Sequence, residues 1–373
     1  FGCASVPQPA RVDASPAAAP PTAVAEDGTA LPNTARSEGA AEANTGAGDA
    51  IPNVQLSSAL MYQLMAAEVA VQRGELGSAF AVYMKLARET RDPRLARRAA
   101  ELALQARAMA QGLEAAQLWH ELAPNSTEAS QTLAMLYTGA GRFDDAYTLF
   151  KAQLQAAANP VEELARIQRA LARTQDRAGA FNLIERLAQP YSQSADVKLV
   201  LANAAQAAGL SARAVQEARA AYAIAPDSAR AALTAAQYLQ ASDRPAALAL
   251  LQDFVARHPT VADTRLAYAR LLIADGKFDA ARSEFQSLLQ ADPKNPDLVY
   301  SMALLSMQGK LPADARTYLQ RYLELIAQMD DERAGTRPVE PAYLYLAQIA
   351  EDDKQFPTAL EWLRKIDGGE EFL

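Results

Sequence analysis

From Leu56 onward, apolar and polar residues follow one another with the period of amphipathic helices. Stretches of about a dozen residues carry apolar side chains at helical spacing, and short turns rich in Gly, Asp or Pro separate them. Half of the residues are apolar but only 7% are aromatic, and much of the remainder is alanine, which lets helices approach closely. The pattern predicts an all-α fold over residues 56–373.

One alanine recurs along this helical region at a nearly constant spacing. Successive copies lie 33 or 34 residues apart, and the last follows after 44 residues: Ala146, Ala180, Ala214, Ala247, Ala281, Ala315 and Ala359. A constant period of this length is typical of a solenoid, in which each unit buries its apolar face only against its neighbours.

The residues around these alanines indicate the type of repeat. Leu133, Ala134 and Tyr137, followed by Ala146 and Phe150, match the tetratricopeptide pattern L-G-x2-Y and A-x3-F. We therefore predict a tetratricopeptide-repeat (TPR) superhelical solenoid of eight or nine units. The proposed bounds are 60–93, 94–124, 127–160, 161–193, 195–226, 228–259, 262–293, 296–332 and 340–373, of which the second is degenerate.

The spacing assigns a role to each type of repeated residue. The alanine provides a small side chain where the two helices of a unit cross, and the bulky residue four positions later fills the gap to the next unit. Glycines are expected at tight turns, at Gly141, Gly209 and Gly276, and prolines just after second helices, at Pro226, Pro259 and Pro293. The 44-residue step predicts an insertion after a second helix that continues past Leu325.

Residues 1–55 differ in composition from the rest of the chain. Pro, Gly, Ala and Ser recur, and no apolar period is sustained, so this segment is expected to be a disordered linker. It contains Cys3, the only cysteine in the sequence. Gly2-Cys3-Ala4 ahead of such a tether resembles the lipobox junction of a bacterial lipoprotein, which implies lipid attachment at Cys3 and a location on the periplasmic face of the outer membrane.

Composition and motifs exclude several classes of function. A net charge of −8 argues against a nucleic-acid partner, because phosphate contacts require a surplus of Lys and Arg. The two histidines, His120 and His258, each lie near a proline that closes a repeat, and no motif indicates a catalytic site, a metal or a phosphate-binding loop. We predict a non-enzymatic protein without metal, cofactor or small-molecule substrate.

Two sets of residues are candidates for protein binding. First-helix positions around the small residue of each unit are expected to line a groove suited to a peptide or protein: Gln131, Met135, Arg169, Arg173, Asn203, Gln206, Arg270, Tyr300, Met307 and Gln348. The stretch 85–107 is rich in arginine and is either an ordinary charged helix face or a basic patch that docks an acidic surface: Arg88, Arg91, Arg94, Arg97 and Arg98.

The first two units also resemble a known family. The points of similarity are the phrase AE-x-A-x-QRG from Ala67 to Gly74, the T-x-DP step from Thr90 to Pro93, the R-A-x-E-x-A helix from Arg98, and the AA-x2-W-x4-P close from Ala115 to Pro124. Together they resemble the Gram-negative outer-membrane TPR lipoproteins that act as adaptors for a periplasmic carboxyl-terminal processing protease.

The resemblance implies a scaffold that holds the protease and brings it peptidoglycan hydrolases for degradation. Members of that family are longer, so we expect further repeats beyond GGEEFL, where no polar capping helix is visible. The alternative is a TPR lipoprotein that assembles an outer-membrane, secretion or pilus machinery. An enzyme would require a domain beyond residue 373.

Overall fold

The computed structural model describes residue 52, residues 54–329 and residues 339–366. These residues form eighteen α-helices: α1 (Ser58–Gln72), α2 (Leu76–Thr90), α3 (Pro93–Gln105), α4 (Met109–Leu122), α5 (Thr127–Gly139), α6 (Phe143–Ala156), α7 (Pro160–Leu171), α8 (Arg177–Ala188), α9 (Ala195–Ala207), α10 (Ser211–Ile224), α11 (Ala229–Leu239), α12 (Arg244–Arg257), α13 (Ala262–Ala274), α14 (Phe278–Ala291), α15 (Pro296–Gln308), α16 (Pro312–Ala327), α17 (Glu340–Asp352) and α18 (Phe356–Leu363). Consecutive helices pair as hairpins, and one hairpin overlaps each of the nine proposed units. The predicted all-α TPR solenoid is confirmed.

Local capping interactions begin many of these helices. Asp92 caps α3 by accepting a hydrogen bond from the backbone N–H of Arg94 at 2.9 Å, and Pro93 occupies the first helical position. Asn295 and Pro296 begin α15 in the same way. An acceptor followed by proline satisfies a free N–H at the helix start and presets the backbone, so these sequences specify where a helix begins.

The recurring alanines lie where the two helices of a hairpin cross, as predicted. Ala146, Ala214 and Ala281 each have no exposed surface. The bulky residues four positions after Ala146 and Ala281, Phe150 and Phe285, are each 2% exposed. A small side chain at the crossing allows close helix contact, and the aromatic ring next to it fills the space toward the neighbouring hairpin.

The predicted turn and stop residues are also in place. Gly141, Gly209 and Gly276 have φ values of 73°, 77° and 76°, in the left-handed region that glycine adopts without steric cost. Helix α14 ends at Ala291, two residues before Pro293. Helix α16 continues past Leu325 to Ala327, as the long step in the repeat requires.

Several predictions fall outside the part of the chain that the structure describes. Cys3 and nearly all of the proposed linker 1–55 lie outside the described residues, as do the inserted loop at 330–338 and the final segment GGEEFL. Lipid attachment and the extent of the repeat region therefore stay predictions.

Candidate functional site

The first helices of successive hairpins form one continuous surface. Helix α7 contacts α9, α9 contacts α11, and α11 contacts α13, so the first helices lie side by side along the solenoid. We call their solvent-facing surface, formed by the odd-numbered helices, the first-helix face. Side chains at equivalent positions of successive first helices line up along it, because each hairpin repeats the geometry of the one before.

Nine of the ten predicted groove residues lie on first helices, and none of the ten is fully buried. The exception is Arg173, which lies in the turn after α7, because that helix ends at Leu171. Placing Arg173 on a first helix was therefore wrong. Tyr300 and Met307 pack partly against the core of the last repeats, whereas Arg169 and Arg270 are exposed. Their role in binding stays a prediction.

Asn203 has a partner within the solenoid. Its Oδ1 accepts a hydrogen bond from the hydroxyl of Tyr238 on α11, at 2.6 Å. Burial raises the pKa of the Tyr238 phenol above its ordinary value, so the hydroxyl keeps its proton and donates to Asn203. The bond joins two adjacent first helices and holds the Asn203 amide at the surface, with its Nδ2 left as a donor.

A groove of about 290 Å³ lies between α11 and α13. Its polar lining consists of Gln237, Gln240 and Arg270, and its apolar lining includes Leu233 and Leu251. The groove carries no carboxylate among its described lining residues. Its polar groups are therefore amides and a guanidinium, which suits hydrogen bonding to a peptide backbone and to negatively charged groups.

The sequence prediction included Arg270 but missed Gln237 and Gln240. The step from Ala214 to Ala247 is 33 residues instead of 34, so counting back from Ala247 by the usual interval reaches Ala236 and passes over Gln237. The one-residue deletion in the repeat was the available signal.

A much smaller cavity, of about 20 Å³, lies between α7 and α9. Gln168 and Arg177 contribute polar groups, and Phe181 and Ile184 of α8 are among its apolar lining. The space between neighbouring first helices is thus not uniform along the solenoid. It is nearly closed here and open at the groove between α11 and α13.

The five arginines of the predicted basic patch are all paired with carboxylates of the chain. Arg88 lies 2.5 Å from Glu114, Arg91 lies 2.9 Å from Glu121, Arg94 lies 2.6 Å from Asp92, Arg97 lies 2.9 Å from Glu128 and Arg98 lies 3.2 Å from Glu68. Four of the five pairs join different helical hairpins. The surface therefore has mixed charge instead of the expected positive surplus, and docking of an acidic partner at these arginines stays a prediction.

Glu68 lies at the centre of a small polar cluster in the first two hairpins. It accepts a hydrogen bond from the Tyr83 hydroxyl at 2.5 Å and bonds from the Arg98 guanidinium. The hydrogen bonds from Tyr83 and Arg98 hold the pKa of the Glu68 carboxyl below its ordinary value. Burial, together with the neighbouring Glu68 carboxylate, raises the pKa of Tyr83 to about 12. The cluster joins α1, α2 and α3.

The remaining titratable groups do not assemble into a reactive site within the described range. His258 follows α12, with its Nε2 2.9 Å from Asp227, whereas His120 lies near the end of α4 beside Ser130. Within residues 54–329 and 339–366, no group of three or more His, Cys, Asp or Glu residues is placed to hold a metal ion. None of the described helices combines the length and the apolar character of a membrane span.

Comparison with known proteins supports the repeat type. Residues 233–296 and residues 272–336 match two family models, each described as a tetratricopeptide repeat. A TPR repeat-containing protein of Pseudomonas aeruginosa is 28% identical over 213 residues, which are 56% of this chain and 35% of that protein. The chain thus spans about a third of the length of this relative.

Solved structures show similar helical arrangements. The crystal structure of PilW, a type IV pilus biogenesis factor, has a TM-score of 0.42 and 19% identity, and it covers 58% of this chain and 96% of its own. MamA from Desulfovibrio magneticus RS-1 has a TM-score of 0.39 and 16% identity, over 46% of this chain and 97% of its own. The repeated hairpins and the matches to two repeat models agree, and the chain is a tetratricopeptide-repeat protein.

Proposed function

We propose that this protein is a non-enzymatic lipoprotein scaffold that binds a periplasmic carboxyl-terminal processing protease and presents peptidoglycan hydrolases to it. TPR proteins bind protein partners, and the TPR fold is typical of scaffolds without enzymatic activity. The specific partners come from the resemblance carried by residues 67–124. In this proposal Cys3 carries the lipid, and the protein is held at the periplasmic face of the outer membrane.

The observation that carries the proposal is the agreement between the resemblance and the contacts of the first two hairpins. Glu68 and Arg98 belong to separate phrases of the resemblance and form an ion pair. Thr90 and Asp92 belong to a third phrase, and the Thr90 hydroxyl accepts a hydrogen bond from the Asp92 backbone N–H at 3.3 Å. The residues that resemble the adaptor family therefore build one local structure at the start of the solenoid.

Affinity capture tests the proposal. The full-length protein, carrying an affinity tag at its carboxyl end, is purified from detergent-solubilised envelopes of its host, with an unrelated outer-membrane lipoprotein as control. The proposal predicts that a carboxyl-terminal processing protease and peptidoglycan hydrolases co-purify specifically. It also predicts that deleting the gene lengthens the half-lives of those hydrolases. Hydrolase half-lives that do not change on deletion would contradict the adaptor role.

The alternative is an assembly lipoprotein of an outer-membrane, secretion or pilus machinery. The same capture separates the two, because an assembly factor would co-purify with structural components of that machinery and not with a protease. A Cys3→Ala variant tests the anchor in either case. If this variant still fractionates with the outer membrane, lipid attachment at Cys3 is wrong.

A further inference from the structure

One position on the first-helix face changes its chemistry along the solenoid. It lies eleven residues before the repeat alanine, or before Ala115 in the second hairpin, and it is occupied in hairpins two to five and in hairpin seven by Leu104, Met135, Arg169, Asn203 and Arg270. Successive members lie on neighbouring first helices, except that hairpin six contributes Gln237 one residue out of phase. The row therefore runs from aliphatic and thioether side chains to guanidinium and amide groups.

The apolar part of the row is a small exposed patch. Leu104, Met109 and Met135 are 42%, 48% and 38% exposed, and they come from α3, α4 and α5. Met109 reaches across the next hairpin, since a Cβ added at Gly139 would lie 3.3 Å from its Cε. Methionine side chains are flexible and polarizable, so a patch of this kind adapts to different apolar partners.

The polar part of the row has positive charge without internal compensation. Arg169, Arg173 and Arg270 form no ion pair with any described residue. Arginines elsewhere on the same helices are paired: Arg166 lies 2.6 Å from Glu163, and Arg265 lies 2.5 Å from Glu284. The guanidinium groups on the first-helix face are thus the ones left without a carboxylate.

The neighbouring groups on this part of the face are donors as well. Asn203 keeps its Nδ2 as a donor because its Oδ1 accepts from Tyr238. Gln237 and Gln240 line the groove beside Arg270, in which no described lining residue is acidic. Arginine offers five donors and no acceptor, and it binds carboxylates in a two-bond geometry. The missing partner of this surface is a set of carboxylates.

We propose that the first-helix face binds an extended segment of a partner protein in two parts, an apolar anchor at Leu104, Met109 and Met135 and an acidic stretch at Arg169, Arg173 and Arg270. The proposal rests on the proposed scaffold function and adds the chemistry of the segment it captures. Neighbouring helices pack about 8–10 Å apart, so the row spans roughly 40–50 Å, which an extended chain of about 15 residues covers.

The test is a selection of random 16-residue peptides displayed on phage against the immobilised full-length chain. The proposal predicts that enriched peptides combine a cluster of apolar residues at one end with several Asp or Glu at the other. A fluorescein-labelled peptide of the enriched sequence is then used to measure affinity by anisotropy. Its affinity falls as salt increases, because the ion pairs are solvent-exposed and screened.

Substitutions separate the two parts of the surface. Exposed ion pairs contribute up to about 1 kcal/mol each, so the combined substitutions Arg169→Gln, Arg173→Gln and Arg270→Gln are expected to weaken binding of the labelled peptide about tenfold or more. Replacing Met135 with Ser weakens binding through loss of the anchor. The matched controls are Arg219→Gln, an exposed arginine of α10 without an ion pair, and Ile224→Ser, an apolar residue of the same second helix that is 45% exposed. Both controls leave the affinity within about twofold.

Enrichment of neutral or basic peptides, no enrichment, or equal binding by the triple variant would overturn the proposal. Circular dichroism of the triple variant shows whether its fold is retained, and these three exposed side chains are not expected to affect folding. The outcome is distinguishable from failure of the proposed function. If the protease still co-purifies but acidic peptides do not bind, only this inference fails. If acidic peptides bind but no protease or hydrolase co-purifies, only the adaptor assignment fails.

Discussion

Arg98 of α3 reaches back to Glu68 of α1, with its Nε 3.2 Å from Glu68 Oε1 and its Nη2 3.3 Å from Oε2. Tyr83 of α2 donates its hydroxyl to the same carboxylate at 2.5 Å. One side chain thus joins the first helices of two hairpins and the second helix of the first. In a solenoid each hairpin contacts only its neighbours, so contacts of this kind determine whether the first hairpin stays folded.

Tyr83→Phe is expected to loosen the first hairpin without changing the overall fold. The ring remains in the core, where Tyr83 is 5% exposed, but the Glu68 carboxylate loses a hydrogen bond. The expected loss is about 1–2 kcal/mol of local stability. Hydrogen exchange measured by mass spectrometry should show faster exchange in α1 and α2, with α13 to α16 unchanged. Tyr62→Phe, at a residue 74% exposed, is the control and should have no effect; equal protection of α1 and α2 in Tyr83→Phe and the parent chain contradicts the prediction.

The same cluster predicts a dependence of stability on acid. Because the pKa of Glu68 is lower in the folded chain than its ordinary value of 4.5, its favourable contribution is fully present above that pH and is lost as the pH falls through the lower, folded value. The difference in α1 protection between the parent chain and Glu68→Gln should therefore shrink between about pH 6 and about pH 3. A difference that stays constant over this range would show that the carboxylate is not the stabilising form.

Tyr83 predicts the opposite dependence at alkaline pH. Its pKa rises from 10.0 to about 12 on folding, so the protonated phenol contributes stability below about pH 10 that is lost as the pH rises toward about 12. Ultraviolet difference spectroscopy of phenol ionisation should show a late-titrating tyrosine that is absent in Tyr83→Phe. If the two chains give the same titration curve above pH 10, the proton does not sit on Tyr83 as the structure implies.

The turn glycines offer a paired test of backbone conformation. Gly276 has a φ of 76°, and nothing lies within 4 Å of an added Cβ, so Gly276→Ala should cost about 1–2 kcal/mol through backbone strain alone. Gly77 has equally open surroundings but lies within helix α2. Gly77→Ala should leave stability unchanged or raise it slightly. Urea denaturation followed by circular dichroism compares the two, and a neutral Gly276→Ala would mean that the turn adopts another conformation.

The repeated aromatic position tests the packing between hairpins. Phe285 is 2% exposed, and Phe285→Ala should lower the stability of the surrounding hairpins by about 3–5 kcal/mol through lost burial and the cavity left behind. Phe356→Ala, at a position 58% exposed, serves as the control and should change stability little. Hydrogen exchange in α13 to α15 measures the effect. Equal effects of the two substitutions would contradict the assigned packing.

The fold was predictable from the sequence because its steric requirements recur. Ala146 and Gly141 each satisfy a condition that appears again about 34 residues later, so the period reveals both roles. The site was only partly predictable. Gln237 was missed because one residue is deleted in its repeat, and Leu104 was missed because the second unit has a degenerate motif.

The charge pattern was the least predictable feature. Arg91 and Arg97 lie in a stretch with many arginines, but their partners, Glu121 and Glu128, are about 30 residues away on neighbouring hairpins. Whether such side chains meet depends on how two helices face each other, which local sequence does not encode. The free arginines of the first-helix face could be recognised only after the paired ones had been placed.

The central claim is that the first-helix face holds the protein partners. Site-specific photo-cross-linking in living cells tests it most directly, with p-benzoylphenylalanine placed at Gln237 in the groove or, as control, at Arg219 on the second helix α10. The account predicts a cross-linked adduct from position 237, identified by mass spectrometry as the processing protease or a peptidoglycan hydrolase, and little or none from position 219. Equal adducts from both positions, or no protein adduct from position 237, would contradict it.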